Sequence, residues 1–199
     1  MDKTHKFEAL SWNYVYGLLI ELAEKIKKSG FKPDIIVGIS RGGWPPARIM
    51  SDLLENPNVA SIKVEFYLGV YETVDKPIIT QPISIPIKDK RILIVDDVSD
   101  TGKTLKLVYD ELAKQSREVK MATLYYKPWA DYKPDFYAKV TDAWIIFPWE
   151  RYEMIKTVGS KMLEEGKTLR EVEDELVKIG LEPFIVKRFV REIFGKRKA

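Results

Sequence analysis

The chain has 199 residues, 45% hydrophobic and 32% charged, which excludes a disordered or fibrous protein and suits one domain of about 150 residues with an appendage. Lys and Arg total 33 against 30 Asp and Glu, and a net charge of +3 argues against a nucleic-acid partner, although residues 195–198 are locally basic. No cysteine is present, so neither a disulfide nor a thiolate metal site can form.

Residues 1–6 lack the apolar run of a signal peptide, and no apolar stretch is long enough to span a bilayer. A cytoplasmic protein with no membrane partner is expected. His5, the only histidine, is expected to be solvated. Ser11 is placed to cap a helix reaching residue 29, with Val15, Leu18, Leu19, Leu22 and Ile26 at helical spacing and Gly30 as its stop. Residues 34–40 form an apolar run expected to be a buried strand. It ends in Ser40-Arg41-Gly42-Gly43, and Pro45-Pro46 then open a helix to about residue 54. A second strand is expected over 61–67, followed by a loop over 69–82 whose Gly, Pro, Thr and charge suit a functional lid.

Residues 91–105 carry the densest chemistry. Ile92–Val95 is an apolar run of the kind found in parallel sheets, and the carboxylates Asp96, Asp97 and Asp100 follow it. Thr101-Gly102-Lys103-Thr104 then opens an amphipathic helix with Leu105, Leu107, Val108 and Leu112 on its apolar side. A strand running through a small-residue turn into a helix leaves unpaired N–H groups and a positive dipole end aimed at one spot, where a phosphate is the natural occupant. Carboxylates beside such a cradle must serve sugar hydroxyls, a metal ion or a proton. A single Asp at a helix N-cap, worth about 1 kcal/mol, needs no function, but three acids beside Thr-Gly-Lys-Thr exceed that need. The nucleotide P-loop does not match, because its first glycine would fall at position 97, which is Asp.

Further strands are expected at 120–126 and 142–147, separated by a Pro/Tyr/Asp-rich segment at 127–137. From Arg151 three short helices follow at 152–164, 169–179 and 183–194, broken at Gly166 and Gly180. The boundary near Glu150 gives a first domain of 1–150 and a helical extension of 151–199. Alternating strands and helices predict an α/β fold, a mostly parallel twisted sheet with helices on both faces and sites at the C-terminal strand ends.

The run from Ile92 to Thr104 resembles the phosphoribosyl-diphosphate (PRPP) motif of type I phosphoribosyltransferases. Beside it, Ser40-Arg41-Gly42-Gly43 resembles that family's pyrophosphate loop, where a cis non-proline bond at Ser40–Arg41 or Arg41–Gly42 is implied. Tyr126-Lys127-Pro128 and 144–150 resemble the small base-binding hood of 6-oxopurine enzymes, most closely the xanthine-guanine branch. The resemblance covers roughly residues 11–150 and departs from the family in three places. Trp44 stands at a position more often aliphatic, the 69–82 segment lacks the Ser-Tyr pair common in hypoxanthine-guanine enzymes, and 151–199 has no counterpart in the short xanthine-guanine enzymes.

The resemblance implies a phosphoribosyl transfer from PRPP to guanine, xanthine or hypoxanthine, giving a nucleoside monophosphate and pyrophosphate in purine salvage. Thr101, Gly102, Lys103 and Thr104 would hold the 5-phosphate, and Asp96 and Asp97 the ribose hydroxyls. Ser40, Arg41, Gly42 and Gly43 would hold pyrophosphate, and Asp100 would act as general base. Lys127 would donate to the purine 6-oxo oxygen and Trp144 would stack on the ring. Ile145 would meet the base edge through its backbone, and Glu150 would lie near the 2-position. Mg2+ is the implied cofactor, held mainly through PRPP oxygens, with Glu150 a further metal position. A homodimer or homotetramer is implied. Two alternatives stand beside this reading, an adenine phosphoribosyltransferase on the same scaffold and a non-catalytic PRPP- or nucleotide-sensing regulator.

Overall fold

The computed structural model describes residues 6–67 and 76–195. In chain order the elements are β1 (Phe7–Ala9), α1 (Trp12–Lys28), β2 (Ile35–Ser40), α2 (Trp44–Leu53), β3 (Val59–Tyr67), β4 (Lys76–Gln81), β5 (Arg91–Ser99), α3 (Lys103–Leu112), β6 (Glu118–Tyr126), β7 (Phe136–Val140), β8 (Trp144–Ile146), α4 (Arg151–Glu164), α5 (Leu169–Lys178) and α6 (Pro183–Phe194). The fold is α/β. Among the described residues, the main sheet has six strands in the order β4-β3-β2-β5-β6-β7. All its pairings are parallel except β3–β4. The chain splits into two compact units, 15–141 and a second made of 1–14 with 142–199.

In the first unit β2 and β5 lie side by side, with Ile35 opposite Ile92 and Gly38 opposite Val95. The sheet grows outward from this pair, through β3 on one side and β6 on the other. The strand order therefore reverses between β2 and β5, and the crevice beyond their C-terminal ends is where α/β proteins take ligands. The core here joins Val37 and Ile39 of β2, Ile92 and Ile94 of β5, Val119 and Met121 of β6, and Leu105, Val108 and Leu112 of α3. These side chains are at most 8% exposed, as expected of parallel strands covered by helices.

The helix stops and starts follow their residues. Gly30 takes φ 77° after α1, and the Tyr14 N–H donates to Ser11 Oγ at 3.2 Å. Proline stands in the first turn of α2, where its missing N–H is harmless.

Part of the segment expected as a loop over 69–82 is a strand. β4 pairs antiparallel with β3, its exposure alternating along the edge. Pro77 is tolerated there because an edge strand does not need every N–H. The rest of that segment, 69–75, lies outside the described residues, as do His5 and 196–198 of the basic end. Residues 136–140, within and just after the segment expected to be irregular, form the other edge strand, β7.

In the second unit β1 pairs parallel with β8, Phe7 opposite Trp144 and Ala9 opposite Ile146. Ile146 joins Ile155, Val172, Leu176, Leu181, Val186, Val190 and Phe194 in a core of its own. Val172 and Leu176 of α5 are fully buried there. Thr168 and Glu171 form a reciprocal capping box at the start of α5.

Candidate functional site

The two glycine-bearing loops sit at the C-terminal ends of β2 and β5 within the first unit. After β2, the Ser40–Arg41 bond is cis, one of the two positions expected. Arg41 is exposed beside it. Gly43 is buried against the sheet, and a Cβ there would meet Val95 O at 2.4 Å and Ile39 N at 2.8 Å. Its N–H donates to Ile39 O at 2.8 Å, so Gly43 serves as a packing glycine, with its amide used inside the fold. Gly42 faces the other loop. A Cβ on it would meet Asp97 Oδ2 at 2.0 Å, so the Asp97 carboxylate rests on this glycine.

β5 carries Asp96 and Asp97 on its last turns of pleat, 9% and 6% exposed. Asp96 Oδ1 accepts the Asp97 N–H at 3.0 Å and Asp97 Oδ1 accepts the Val98 N–H at 2.7 Å. These local bonds orient two carboxylates that burial would otherwise disfavour. Asp100 is exposed at the loop tip. Gly102, with φ 81°, forms the N-cap of α3, which places the amides of 102–104 in a first turn that has no preceding intrahelical carbonyls to bond. A cavity of about 410 Å³ opens over this turn. Its lining includes Asp96, Asp100, Thr101, Gly102, Lys103 and Thr104, together with Phe66 at the end of β3. Asp97 is not in that lining and stands instead against Gly42.

The turn is braced by the segment after β6. The Lys127 N–H donates to Ser99 O at 2.9 Å, and the Asp131 N–H donates to Thr101 O at 3.0 Å. Gly102 presses on Tyr132, whose backbone N a Cβ at 102 would approach to 2.7 Å. Burial raises the Tyr132 phenol pKa, and Tyr109 adds to the shift while Lys106 opposes it. Lys127 is 6% exposed. Its Nζ lies 5.4 Å from the centre of the Trp129 ring, and the Trp129 Nε1–H donates to Asp100 Oδ1 at 3.0 Å.

Phe66, Trp129 and Tyr132 are thus site residues that pattern reading missed. Phe66 and Trp129 are each 54% exposed, and an aromatic left in water at a strand end or a turn is the one signal that pointed to them.

The remaining expected residues lie in the second unit. Trp144 on β8 is 55% exposed, so it is not a core aromatic. Ile145 beside it is buried. Glu150 is the N-cap residue of α4, its N–H donating to Phe147 O at 3.0 Å. Phe147 and Trp149 stack at 4.9 Å, and Trp12 meets Trp149 at 5.5 Å. Among the described residues no cluster of three or more metal-type side chains occurs. A larger cavity of about 1040 Å³ opens at the opposite end of the sheet around Asp34, Ile35 and Asn58, without the paired loops or carboxylate cluster that would give it chemistry.

A strand-end crevice at the point of reversal, floored by a helix N-terminus and edged by acids, is the architecture of an α/β protein that takes a phosphate-bearing ligand. The model of the phosphoribosyl transferase domain matches residues 10–153. The chain is 35% identical over 149 residues to the xanthine-guanine phosphoribosyltransferase of Cereibacter sphaeroides, covering 71% of this chain and 85% of that one. It is 36% identical over 126 residues to the hypoxanthine-guanine phosphoribosyltransferase of Saccharomyces cerevisiae, covering 55% of this chain and only 56% of the yeast enzyme. The crystal structure of a purine phosphoribosyltransferase from Pyrococcus horikoshii superposes with a TM-score of 0.66 at 44% identity, covering 72% of this chain and 93% of that one. The chain belongs to the phosphoribosyl transferase domain family. Its chemistry is therefore that of an enzyme of pentosyl transfer.

Proposed function

We propose that the protein transfers the 5-phosphoribosyl group of PRPP to a 6-oxopurine, guanine, xanthine or hypoxanthine, giving a nucleoside monophosphate and pyrophosphate in purine salvage. The observation that carries the reading is the 410 Å³ cavity that joins Asp96 and Asp100 to the 101–104 turn. Amides and hydroxyls of Thr101, Gly102, Lys103 and Thr104 bind the 5-phosphate. Asp96 and Asp97 take the ribose hydroxyls. Ser40, Arg41 and the Gly42 amide neutralise pyrophosphate, with Gly43 holding that loop against β5.

As purine N9 attacks C1 of the ribose, the bond from C1 to the pyrophosphate oxygen breaks and its electron pair leaves with pyrophosphate. Asp100 accepts the N7 proton. Positive charge developing at C1 is stabilised by the neighbouring carboxylates. Lys127 donates to the 6-oxo oxygen, Trp144 stacks on the ring, the Ile145 backbone meets the base edge, and Glu150 lies near the 2-position. A 6-oxo group suits Lys127 because an ammonium only donates, whereas adenine offers a 6-amino group that also only donates there. The Cereibacter and yeast relatives named above are xanthine-guanine and hypoxanthine-guanine enzymes and lend the adenine alternative no support. The non-catalytic regulator is the weaker reading, because the family and the curated relatives are transferases.

Mg2+ fits this donor set. A hard cation would take most of its oxygens from PRPP at this site, beside the buried carboxylates Asp96 and Asp97, and Glu150 would be a further protein ligand. When bound, it would neutralise charge on the pyrophosphate. The catalytic region is assigned to 1–150 with 151–199 as its extension, in a cytoplasmic homodimer or homotetramer with neither nucleic-acid nor membrane partners. No helix among the described residues is long and apolar enough to cross a membrane.

The test is turnover with guanine, xanthine, hypoxanthine and adenine at saturating PRPP, alongside Asp100→Asn. Turnover of a 6-oxopurine is expected, and the variant should lose roughly 10²–10⁴-fold in kcat with the KM for PRPP unchanged. Preference for adenine overturns the substrate assignment, and an equal loss of PRPP affinity overturns the role of Asp100.

A further inference from the structure

Trp129 occupies an unusual place for an exposed tryptophan. Residues 127–130 form a tight turn in which the Ala130 N–H donates to Lys127 O at 3.0 Å, with Pro128 preset for the second position. That turn is tied to the phosphate loop on both sides of Asp100, through Lys127 N–H to Ser99 O at 2.9 Å and Asp131 N–H to Thr101 O at 3.0 Å. Between these two ties the Trp129 Nε1–H reaches Asp100 Oδ1 at 3.0 Å. The face of the same indole lies 5.4 Å from Lys127 Nζ. One side chain therefore touches both groups assigned to adjacent purine atoms, the base at N7 and the donor at the 6-oxo oxygen. Indole has a single N–H donor and no acceptor, so it fixes an ionised carboxylate without competing for its proton. Burial does not explain the position, since the ring is 54% exposed.

We propose that Trp129 is a positioning residue for the transfer step. Its N–H pins Asp100 Oδ1, leaving Oδ2 directed to the purine N7 proton, while its ring face holds the Lys127 ammonium. The assignment rests on the reading of Asp100 as general base. Without the pin, the exposed carboxylate samples other rotamers and meets N7 in a fraction of encounters.

Full-length protein in which residue 129 is β-(3-benzothienyl)alanine tests it, since sulfur replaces the N–H and the ring shape is kept. Trp129→Phe is made alongside. Both variants should lose about tenfold in kcat, the scale of one hydrogen bond to a charged group, with the KM for PRPP unchanged. The Trp129 indole N–H resonance, identified by its absence from Trp129→Phe, should move in Asp100→Asn. A sulfur isostere with wild-type kcat, or a resonance indifferent to Asp100→Asn, overturns the proposal. If Asp100→Asn itself turns over at the wild-type rate, the base assignment falls and the catalytic role of Trp129 falls with it. The resonance shift reports the contact separately, so the two failures are told apart.

Discussion

Gly42 and Gly43 are neighbours that fail in different ways when given a side chain. At Gly43 the new methyl would strike Val95 O and Ile39 backbone atoms, which belong to β5 and β2 and cannot retreat without opening the sheet. At Gly42 it would strike the Asp97 carboxylate, the end of a side chain that can rotate away. Gly43→Ala is therefore expected to lower thermal stability by several degrees or prevent folding. Gly42→Ala should unfold near the wild-type temperature yet raise the KM for PRPP by roughly ten- to a hundredfold, as one charged hydrogen-bonding group is turned out of place. Thermal unfolding and PRPP titration of the two variants check this. Equal destabilisation by both would mean that Asp97 is locked on Gly42 by the fold and has no freedom to yield. The sequence identified both glycines as a loop but could not separate their duties, because the difference depends on which neighbour each faces across the sheet.

At the scale of elements, β2, β5 and α3 were legible because their chemistry is local. Ile92–Val95 is apolar on both faces, and Gly102 carries the positive φ that a turn into a helix requires. β1, β4 and β7 were not. They are short or edge strands with mixed exposure, and β1 finds its partner β8 more than a hundred residues later. Nothing in three residues announces a pairing at that distance. Trp129 was hidden for the same reason, since its partner Asp100 lies across a turn that only the folded chain creates. The start of β5 is anchored to the start of β2 by Asp34, whose Oδ2 accepts the Arg91 N–H at 2.8 Å while Oδ1 meets Nη2 at 2.9 Å. The side-chain hydrogen bond from Arg91 is the largest cause holding the Asp34 pKa at about 2, from 3.8. A depressed carboxylate adds stability above its unfolded pKa, and that contribution is lost as pH falls from about 4 toward 2. Both side chains are about a third exposed, so solvent screening limits the effect. Asp34→Asn is expected to destabilise by about 1 kcal/mol at pH 7 and to match the wild type near pH 2. Denaturant titrations at the two pH values check it, and a difference that persists at the lower pH would assign the effect to packing.

Among the described residues, the buried cluster that joins the main sheet to α3 shares no residue with the one under α4, α5 and α6. Seven of the eight buried side chains in the latter come from residues beyond 150, and the eighth is Ile146 of β8. β8 is a three-residue strand with β1 as its partner, and a pair that short is marginal in water on its own. The three helices therefore supply the apolar cover for the strand that carries Trp144 and Ile145, and this is a structural duty independent of any subunit contact. Val172, fully buried at the centre of that core, is the place to test it. Val172→Asp puts a carboxylate where no water reaches, and several kcal/mol of destabilisation are expected. Because these two clusters share no residue, calorimetry should show the loss in one transition, with the transition of the 15–141 unit near its wild-type temperature. PRPP protection of the variant against thermal unfolding should persist, since the assigned phosphate contacts lie in 15–141, while purine turnover should fall with the loss of Trp144 and Ile145. A single transition that shifts as a whole would mean that the two units unfold as one, and the helical extension would then stabilise the PRPP-binding half as well as the strand beneath it.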